Sequence, residues 1–453
     1  MNQGVSDLDR VVDRVDRRVR PDADERTRLK AVADRLVDRA RAALADHDVD
    51  ADADVVRVGS TARDTWLAGD RDIDVFVRFP ADLPRTDLER LGLAVGHAVL
   101  PDGHEEYAEH PYVRGTVDSF DVDLVPCYDV DAATAARSAV DRTPFHTAWL
   151  DGRINDLTAD VRVAKQFLSA MGAYGSDLRT RGFSGYLTEL LVLEHGGFSG
   201  LVAAAAEWHP PVQYDPEGHG TATFDDPLVV VDPTDPERNV AAVCAAEQVA
   251  RLQHHARDLL AAPRVAAFFI DDPTPLSAAD VRDHVTRRGT EPVAVVFDAP
   301  DIVDDQLYPQ LRRSLGGVWA ALDRAGFAPL RAATFANGRG VLFVECATGE
   351  VARVERHEGP PVAVADHAQG FLDAHHDADY GPFLDGDRYV VERSREYTTP
   401  VDLLRSDALF DVALGARVEE ALRDEYTVLS GAAVAALADE FGVALARYFE
   451  PTI

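Results

Sequence analysis

Lysine is almost missing from this sequence, and positive charge as a whole is scarce. Of its 453 residues only 46 are lysine or arginine, against 79 aspartates and glutamates, which gives a formal net charge of −33. Lys30 and Lys165 are the only lysines. The acidic residues are spread along the chain, which favours adaptation to molar salt, where charge repulsion is screened beyond about 3 Å. An acidic protein that binds cations or basic partners is the alternative interpretation.

Cysteine and long apolar runs are also scarce. Cys127, Cys244 and Cys346 lie far apart and form no metal-binding or redox motif, so we expect buried, reduced thiols. No apolar run approaches the roughly 20 residues that cross a bilayer, and the charged N-terminal stretch lacks an apolar signal core. These absences predict a cytoplasmic protein without a membrane-spanning segment.

Chain length and apolar periodicity predict a multidomain α+β protein. Helical spacing is found in segments 6–48 (interrupted at Pro21), 86–99, 143–149, 156–172, 186–195, 239–262, 277–288, 307–325 and most of 402–449. Strand patterns fill much of 55–130 and recur at 228–231, 265–270, 293–297, 330–336 and 341–346, with Asn337-Gly338 as a hairpin turn between the last two.

Segment 58–77, VGSTARDTWLAGDRDIDVFV, is the most informative part of the chain and predicts a strand, a tight turn, a short helix and a second strand. Asp72 and Asp74 are two apart on that second strand, so both side chains lie on one face. Carboxylates on an apolar strand are costly without a cation, and paired Mg²⁺ ions bound by such carboxylates catalyse phosphoryl transfer. Gly59 and Ser60 open the helix, whose free N–H groups favour a phosphate. An isolated carboxylate pair would more simply face solvent, but the Gly-Ser turn and the apolar flanks favour a metal site.

A further carboxylate is available on another predicted strand. Segment 119–128, SFDVDLVPCY, alternates apolar and polar residues and places Asp121 and Asp123 on one face. Either side chain could join the first pair, and Asp121 could equally face solvent or lie behind the ligands.

Taken in order, these segments resemble the archaeal-type (class I) CCA-adding enzymes, which are tRNA nucleotidyltransferases. The similar blocks are 59–67, 72–74, 123–128, 138–146, 182–191 and 232–240. The resemblance is specific across roughly 58–240 and looser after about residue 265. Asp64 stands where the family often has glycine, and Asp72 where some members have glutamate.

The resemblance implies roles for individual residues. Asp72, Asp74 and Asp123 would be the catalytic, metal-binding carboxylates, with Mg²⁺ as the cofactor. Triphosphate binding is implied for a second set: Ser60, Arg63, His146, Lys165 and Tyr174. Lys165 is the most telling member, because a chain that has nearly lost lysine retains one here, although a lysine with its stem on the surface of an amphipathic helix is the alternative.

The resemblance also implies the activity, the partners and the domain order. The reaction is addition of the CCA sequence to the 3′ end of tRNA from CTP and ATP without a nucleic-acid template, by a homodimer. The expected domains are a nucleotidyltransferase head at 1–142, a helical neck at 143–263, and a body and tail at 264–453 that bind tRNA. A poly(A) polymerase, an aminoglycoside-modifying enzyme and a non-catalytic RNA-binding member of the fold are the alternatives.

Four more residues are candidates on weaker grounds. We expect Arg238 and Asn239 at a helix start, where they could contact phosphate or base or simply cap the helix. Arg179 and Arg181 are candidates for the path of the RNA.

Overall fold

The computed structural model describes residues 2–46, 53–107, 109–220 and 222–453, with the side chains of 2–6 left undescribed. The predicted helical segment 6–48 therefore ends at two residues, 47 and 48, that lie outside the described ranges. The chain divides into one compact unit of residues 1–271 together with Ile453, and a second of residues 272–452. Among the described helices, none is long and apolar enough to cross a membrane.

The first unit contains the helices α1 Asn2–Val19, α2 Ala23–Asp46, α3 Gly59–Ala62, α4 Arg85–Val99, α5 Thr143–Leu150, α6 Thr158–Ala170, α7 Gly185–Glu194, α8 Phe198–Ala206 and α9 Ala246–Ala261. Its strands are β1 Asp54–Val58, β2 Asp72–Pro80, β3 His104–Tyr107, β4 Pro111–Val117, β5 Phe120–Asp129, β6 Val212–Tyr214, β7 Leu228–Asp232 and β8 Asp235–Asn239.

A five-stranded mixed sheet in the order β1-β2-β5-β4-β3 positions the candidate carboxylates. β2 runs parallel to β5 and antiparallel to β1. Alternate residues of β2, including Ile73, Val75 and Val77, are buried in one core with apolar residues of α2 and α4. Because successive side chains point to opposite faces, Asp72 and Asp74 lie on the face away from that core.

Most of the remaining helices of this unit share a second core. Apolar faces of α6, α7, α8 and α9 pack together, and α1 joins them through Leu8, Val11, Val15 and Val19. Helix α1 falls within the predicted head segment but packs with the helices of the predicted neck. The apolar spacing of α1 predicts a buried face without indicating which core that face enters.

The second unit contains the helices α10 Ala278–Arg288, α11 Asp304–Arg324, α12 Ala365–Ala374, α13 Pro400–Leu404, α14 Ala416–Asp424 and α15 Ala438–Phe449. Its strands are β9 Glu291–Asp298, β10 Pro329–Ala336, β11 Arg339–Cys346, β12 Val354–Pro361, β13 Tyr380–Asp385, β14 Arg388–Ser394 and β15 Tyr426–Ser430. They form an antiparallel sheet in the order β10-β11-β9-β15 and a smaller sheet in the order β12-β14-β13. Val293 and Val295 of β9 enter one core, whereas Ala294 and Val296 enter another, which explains the uninterrupted apolar run of this strand.

Most predicted elements are confirmed, and three predictions are wrong. Segment 265–270 forms a short 3₁₀ helix at Val265–Phe268, not a strand. The helix expected from residue 239 begins only at Ala246, because Asn239 ends strand β8. The predicted helical segment 402–449 also contains β15, which the apolar spacing did not indicate. The predicted hairpin is confirmed by the pairing of Ala336 with Gly340, and the three cysteines are buried and free.

Candidate active site

Asp72, Asp74, Asp121 and Asp123 lie next to one another on one face of the five-stranded sheet. In the parallel pairing of β2 with β5, Asp72 lies opposite Asp121 and Asp74 opposite Asp123. Neighbouring strands are about 5 Å apart, and residues in register on parallel strands point to the same side. The fold therefore brings Asp72, Asp74 and Asp123 together, with Asp121 at the exposed end.

Gly59 allows the closest approach to one of these carboxylates. A Cβ atom built on Gly59 would stand 2.1 Å from Oδ2 of Asp74, and the φ angle of Gly59 is +76°. Both the space and the backbone conformation therefore require glycine. The Gly-Ser turn thus positions the Asp74 carboxylate against the backbone that precedes Ser60.

Charge repulsion and burial act together on these side chains. Burial, with Asp123 and Asp72 nearby, raises the pKa of Asp74 to about 7. Burial also raises the pKa of Asp123, although Arg114, whose Nε lies 3.5 Å from Oδ1, opposes the shift. Oδ1 of Asp123 is buried and has no hydrogen-bond partner among the described residues. A cation between these carboxylates would offset their burial and their mutual repulsion, and it would give Oδ1 of Asp123 a partner.

The carboxylates do not by themselves enclose an ion. In the part of the chain that the structure describes, no group of three His, Cys, Asp or Glu side chains is close enough to form a ready-made metal cage. Mg²⁺ typically takes only one or two protein carboxylates and completes its shell with water and substrate phosphates. An open carboxylate face is therefore compatible with such an ion.

Asp121 differs from its neighbours. It is exposed, and its Oδ1 accepts a hydrogen bond from the Thr116 hydroxyl at 3.1 Å. Its carboxylate already has a protein partner.

The short helix predicted at Ser60 is confirmed and consists of a single turn. α3 is a single turn, Gly59–Ala62, and Val58 at its N-cap provides no side-chain cap. A helix dipole grows with the number of aligned peptides, so one turn adds little to phosphate binding. The carbonyl of Ser60 instead closes the following turn by accepting from the amides of Arg63 and Thr65.

Arg63 and Lys165 meet at a buried carboxylate, Glu189 of α7. Nε and Nη2 of Arg63 donate to Oε2 of Glu189 at 3.1 and 2.7 Å. Nζ of Lys165 donates to the carbonyl of Thr65 at 2.9 Å and lies 4.0 Å from Oε1 of Glu189. Lys165 is only 2% exposed, so the alternative of a lysine with its stem on the surface of an amphipathic helix is wrong.

His146 belongs to a second buried network. Its ring stacks on Tyr186, and its Nε2 donates to Oδ2 of Asp232 at 2.9 Å. Nη1 of Arg238 donates to the same oxygen at 2.7 Å. Burial alone would raise the pKa of Asp232, but hydrogen bonds from His146 and from Thr234 hold that pKa well below its usual range. Asp232 therefore stays ionised and fixes the orientation of the imidazole.

Tyr174 lies beside Lys165. A Cβ atom on Gly185 would be 3.2 Å from the Tyr174 hydroxyl and 3.8 Å from Nζ of Lys165, so both groups converge on the first turn of α7. Burial raises the pKa of Tyr174, which therefore stays protonated and able to donate a hydrogen bond.

Arg238 and Asn239 lie at the end of strand β8 and not at a helix start, whereas the place of Arg179 and Arg181 on the path of the RNA stays a prediction. Asn239 is buried and holds the β7–β8 turn, accepting from the amides of Val230 and Ala241. It ends a strand and caps no helix, since α9 begins at Ala246. Arg179 and Arg181 lie between α6 and α7, where Asp177 binds their backbone amides.

Glu189 and Asp232 are the site residues that the sequence reasoning missed. Both stand in blocks used for the resemblance: Glu189 lies within an apolar stretch of helix α7, and Asp232 ends the apolar strand β7. A carboxylate in such a setting is rarely buried without a cation, which is the signal that could have identified both.

Comparison with known proteins identifies the family. Residues 37–146 match the family described as "Nucleotidyltransferase domain", 159–269 match "tRNA nucleotidyltransferase, second domain", and 288–431 match "CCA-adding enzyme, C-terminal domain". The chain is 61% identical to a CCA-adding enzyme of Halorubrum lacusprofundi, over 99% of this chain and 100% of that protein. The corresponding enzyme of Haloarcula marismortui is 59% identical, over 98% and 99%.

The chain belongs to the archaeal-type CCA-adding enzymes. The predicted family and its nucleotidyltransferase fold are thus confirmed. A CCA-adding enzyme of Methanoregula boonei is also similar, at 45% identity over 91% of this chain and 90% of that protein. Halophilic relatives such as that of Halobacterium salinarum fit the acidic composition. Nucleotidyltransferases of this kind use divalent metal ions.

Proposed function

We propose that this chain adds CMP, CMP and AMP in order to the 3′ end of tRNA, using CTP and ATP and releasing pyrophosphate. Membership of the CCA-adding enzymes along the whole chain is the observation that carries this proposal. The placement of Asp72, Asp74 and Asp123 on one face of the sheet supports it, because metal-assisted nucleotidyl transfer needs carboxylates that can share bound ions.

Asp72, Asp74 and Asp123 fit two Mg²⁺ ions. Oδ1 of Asp123, which accepts no hydrogen bond from the described residues, and the raised pKa of Asp74 both favour a cation at this face. Asp72 and Asp74 would hold both ions, and Asp123 would help to hold the one nearest the 3′-hydroxyl. When bound, such ions make a hydroxyl more nucleophilic and neutralise charge on pyrophosphate.

The chain's own contribution is to position the reactants. Ser60, Arg63, His146, Lys165 and Tyr174 would bind the triphosphate. Hydrogen bonds to Glu189 and Asp232 already fix the donor groups of Arg63 and His146, so less conformational entropy is lost on binding. Accurate placement supplies much of the rate in phosphoryl transfer.

The proposed division of labour assigns catalysis to the head, residues 1–142, and nucleotide selection to the neck, residues 143–263. Residues 264–453 would form the body and tail that bind tRNA. The assembly would be a homodimer, which gel filtration with light scattering would test.

The reaction is tested with a tRNA that ends at the discriminator base. CTP alone should extend this tRNA by two nucleotides, and CTP with ATP should extend it by three. Sequencing of the product ends provides the measurement. A homopolymer tail would indicate a polymerase of the poly(A) type, and no extension at all would contradict the proposal.

A further inference from the structure

Glu189 is the central acceptor of a buried network that joins the sheet to the helical core. Its side chain is fully buried. Oε2 accepts from Nε and Nη2 of Arg63, and Oε1 accepts from the hydroxyl of Thr65. Arg63 and Thr65 follow α3, whereas Glu189 lies on α7, so one carboxylate fixes the loop that leaves the Gly-Ser turn.

Two cations share this one carboxylate. Nζ of Lys165 lies 4.0 Å from Oε1 of Glu189, and the side chains of Arg63 and Lys165 are only 9% and 2% exposed. Burial lowers the pKa of Lys165, and the nearby positive charges of Arg63 and Arg162 lower it further. The carboxylates of Glu189 and Asp70 oppose this shift, and Glu189 has the larger effect of the two. Glu189 thus favours the charged form of Lys165 while it also accepts hydrogen bonds from Arg63.

The held groups keep donors for a ligand. Nη1 of Arg63 donates to the hydroxyl of Thr147 at 3.0 Å, so three of the five guanidinium N–H groups are engaged. Among the contacts that the structure describes, two N–H groups remain for an anion. Arg63 follows α3 directly, and Gly59 at the start of α3 touches Asp74, so the position of Arg63 is tied to the carboxylate face.

We propose that Glu189 is a positioning residue for the incoming nucleotide: it holds Arg63 and Lys165 side by side, in the orientation that receives the triphosphate. This inference rests on the proposed function. Glu189 does not contact the reacting atoms in this arrangement, and it acts through the two cations and through Thr65.

The test replaces Glu189 by Gln, which keeps the shape and removes the charge. Glu345→Gln is a matched control, because Glu345 is also fully buried and accepts from Nε and Nη2 of one arginine and from a threonine hydroxyl. KM for CTP, KM for tRNA, kcat and Tm are measured for both variants and for the unaltered chain. Calorimetric titration of each protein with CTP, in the presence of Mg²⁺ and without tRNA, measures the binding of CTP directly.

We expect Glu189→Gln to raise KM for CTP by about tenfold or more, as for loss of charge-assisted hydrogen bonds. KM for tRNA should change less than about twofold, and binding of CTP should weaken in parallel. Glu345→Gln should lower Tm and leave both KM values unchanged. Glu189→Asp, which keeps the charge on a shorter stem, should give an intermediate KM for CTP.

Three results would overturn the inference. In the first, Glu189→Gln lowers Tm and leaves KM for CTP unchanged, as in the control, which would make Glu189 a purely structural residue. In the second, KM for CTP and KM for tRNA rise equally, so the effect is not selective for the nucleotide. If Glu189→Gln does not fold, an unaltered KM for CTP in Glu189→Asp would be decisive against it. Should the unaltered chain neither bind CTP nor extend tRNA, the proposed function fails first and this inference with it.

Discussion

Two buried glutamates, one in each unit, carry almost the same hydrogen bonds and differ in one partner. Glu189 holds Arg63 and Thr65, and Glu345 holds Arg288 and Thr290. Both carboxylates are fully buried. The same side-chain chemistry thus occurs once beside the candidate active site and once in the second unit.

The fourth partner separates the two clusters. At Glu189 it is the ammonium group of Lys165, a second cation. At Glu345 it is the neutral hydroxyl of Tyr448, 3.1 Å from Oε2. One arginine balances one carboxylate in the second unit, whereas two cations face one carboxylate in the first. A second basic side chain beside the carboxylate, rather than the shared pattern of hydrogen bonds, is therefore the difference between the two clusters.

The largest effect should separate the unit that carries the candidate active site from the second unit, and we expect it at the carboxylate Asp74. We expect Asp74→Ala to lower incorporation of CMP by at least about a thousandfold, since it removes a charge that metal-assisted transfer requires. Binding of tRNA, measured by filter retention, should stay within about threefold. Incorporation within tenfold of the unaltered chain would contradict the assignment of Asp74.

The next largest effect should come from Gly59→Ala. The new methyl group would stand 2.1 Å from Oδ2 of Asp74, so the carboxylate has to move, and we expect kcat to fall by about a hundredfold. Gly289→Ala is a matched control, because Gly289 also has a positive φ angle, +62°, and its Cβ would meet no described atom within 4 Å.

The control should lose only the stability that backbone strain costs, about 1 kcal/mol, and no activity. Equal losses of kcat in both glycine variants would show that strain, and not the displacement of Asp74, explains the effect at Gly59.

Patterns within one element were predictable from the sequence, and contacts between distant elements were not. The period of two along a strand is enough to place Asp72 with Asp74, and Asp121 with Asp123, on one face. Arg63 and Glu189 are 126 residues apart, so no local pattern links them. The strand at 426–430 was missed for a related reason, since its pairing with β9 comes from a remote part of the chain.

Glu345→Gln should have a moderate effect on stability alone. We expect the free energy of unfolding to fall by about 1 to 3 kcal/mol. This is less than for a fully buried ion pair, because the Arg288 side chain is 36% exposed and can regain water. Burial would raise the pKa of Glu345, but hydrogen bonds from Arg288 and Thr290 outweigh burial and leave that pKa lowered.

A lowered pKa means that this stabilisation is present above the unfolded pKa of Glu345 and is lost as the pH falls through its folded value. Urea unfolding between pH 3 and pH 7 is therefore the measurement. The stability difference between Glu345→Gln and the unaltered chain should shrink at the acidic end, and a constant difference would refute this account.

The smallest expected effect concerns the dependence of stability on ions and pH. The pKa of Asp74 is raised from 3.8 to about 7, so the folded protein binds this proton more tightly than the unfolded chain does. Its contribution to stability therefore falls as the pH rises between these values, and above about pH 7 the carboxylate is ionised and unfavourable.

Mg²⁺ should offset that cost only where the carboxylate is ionised. We expect Mg²⁺ to raise Tm by about 2 to 4 °C more at pH 8 than at pH 5, a difference of about 1 kcal/mol in a unit of this size. Thermal melts in constant KCl provide the measurement. Asp74→Asn should be more stable than the unaltered chain at pH 8 without Mg²⁺ and should lose the pH-dependent gain. A gain that persists in Asp74→Asn would assign the ion effect to the acidic surface instead.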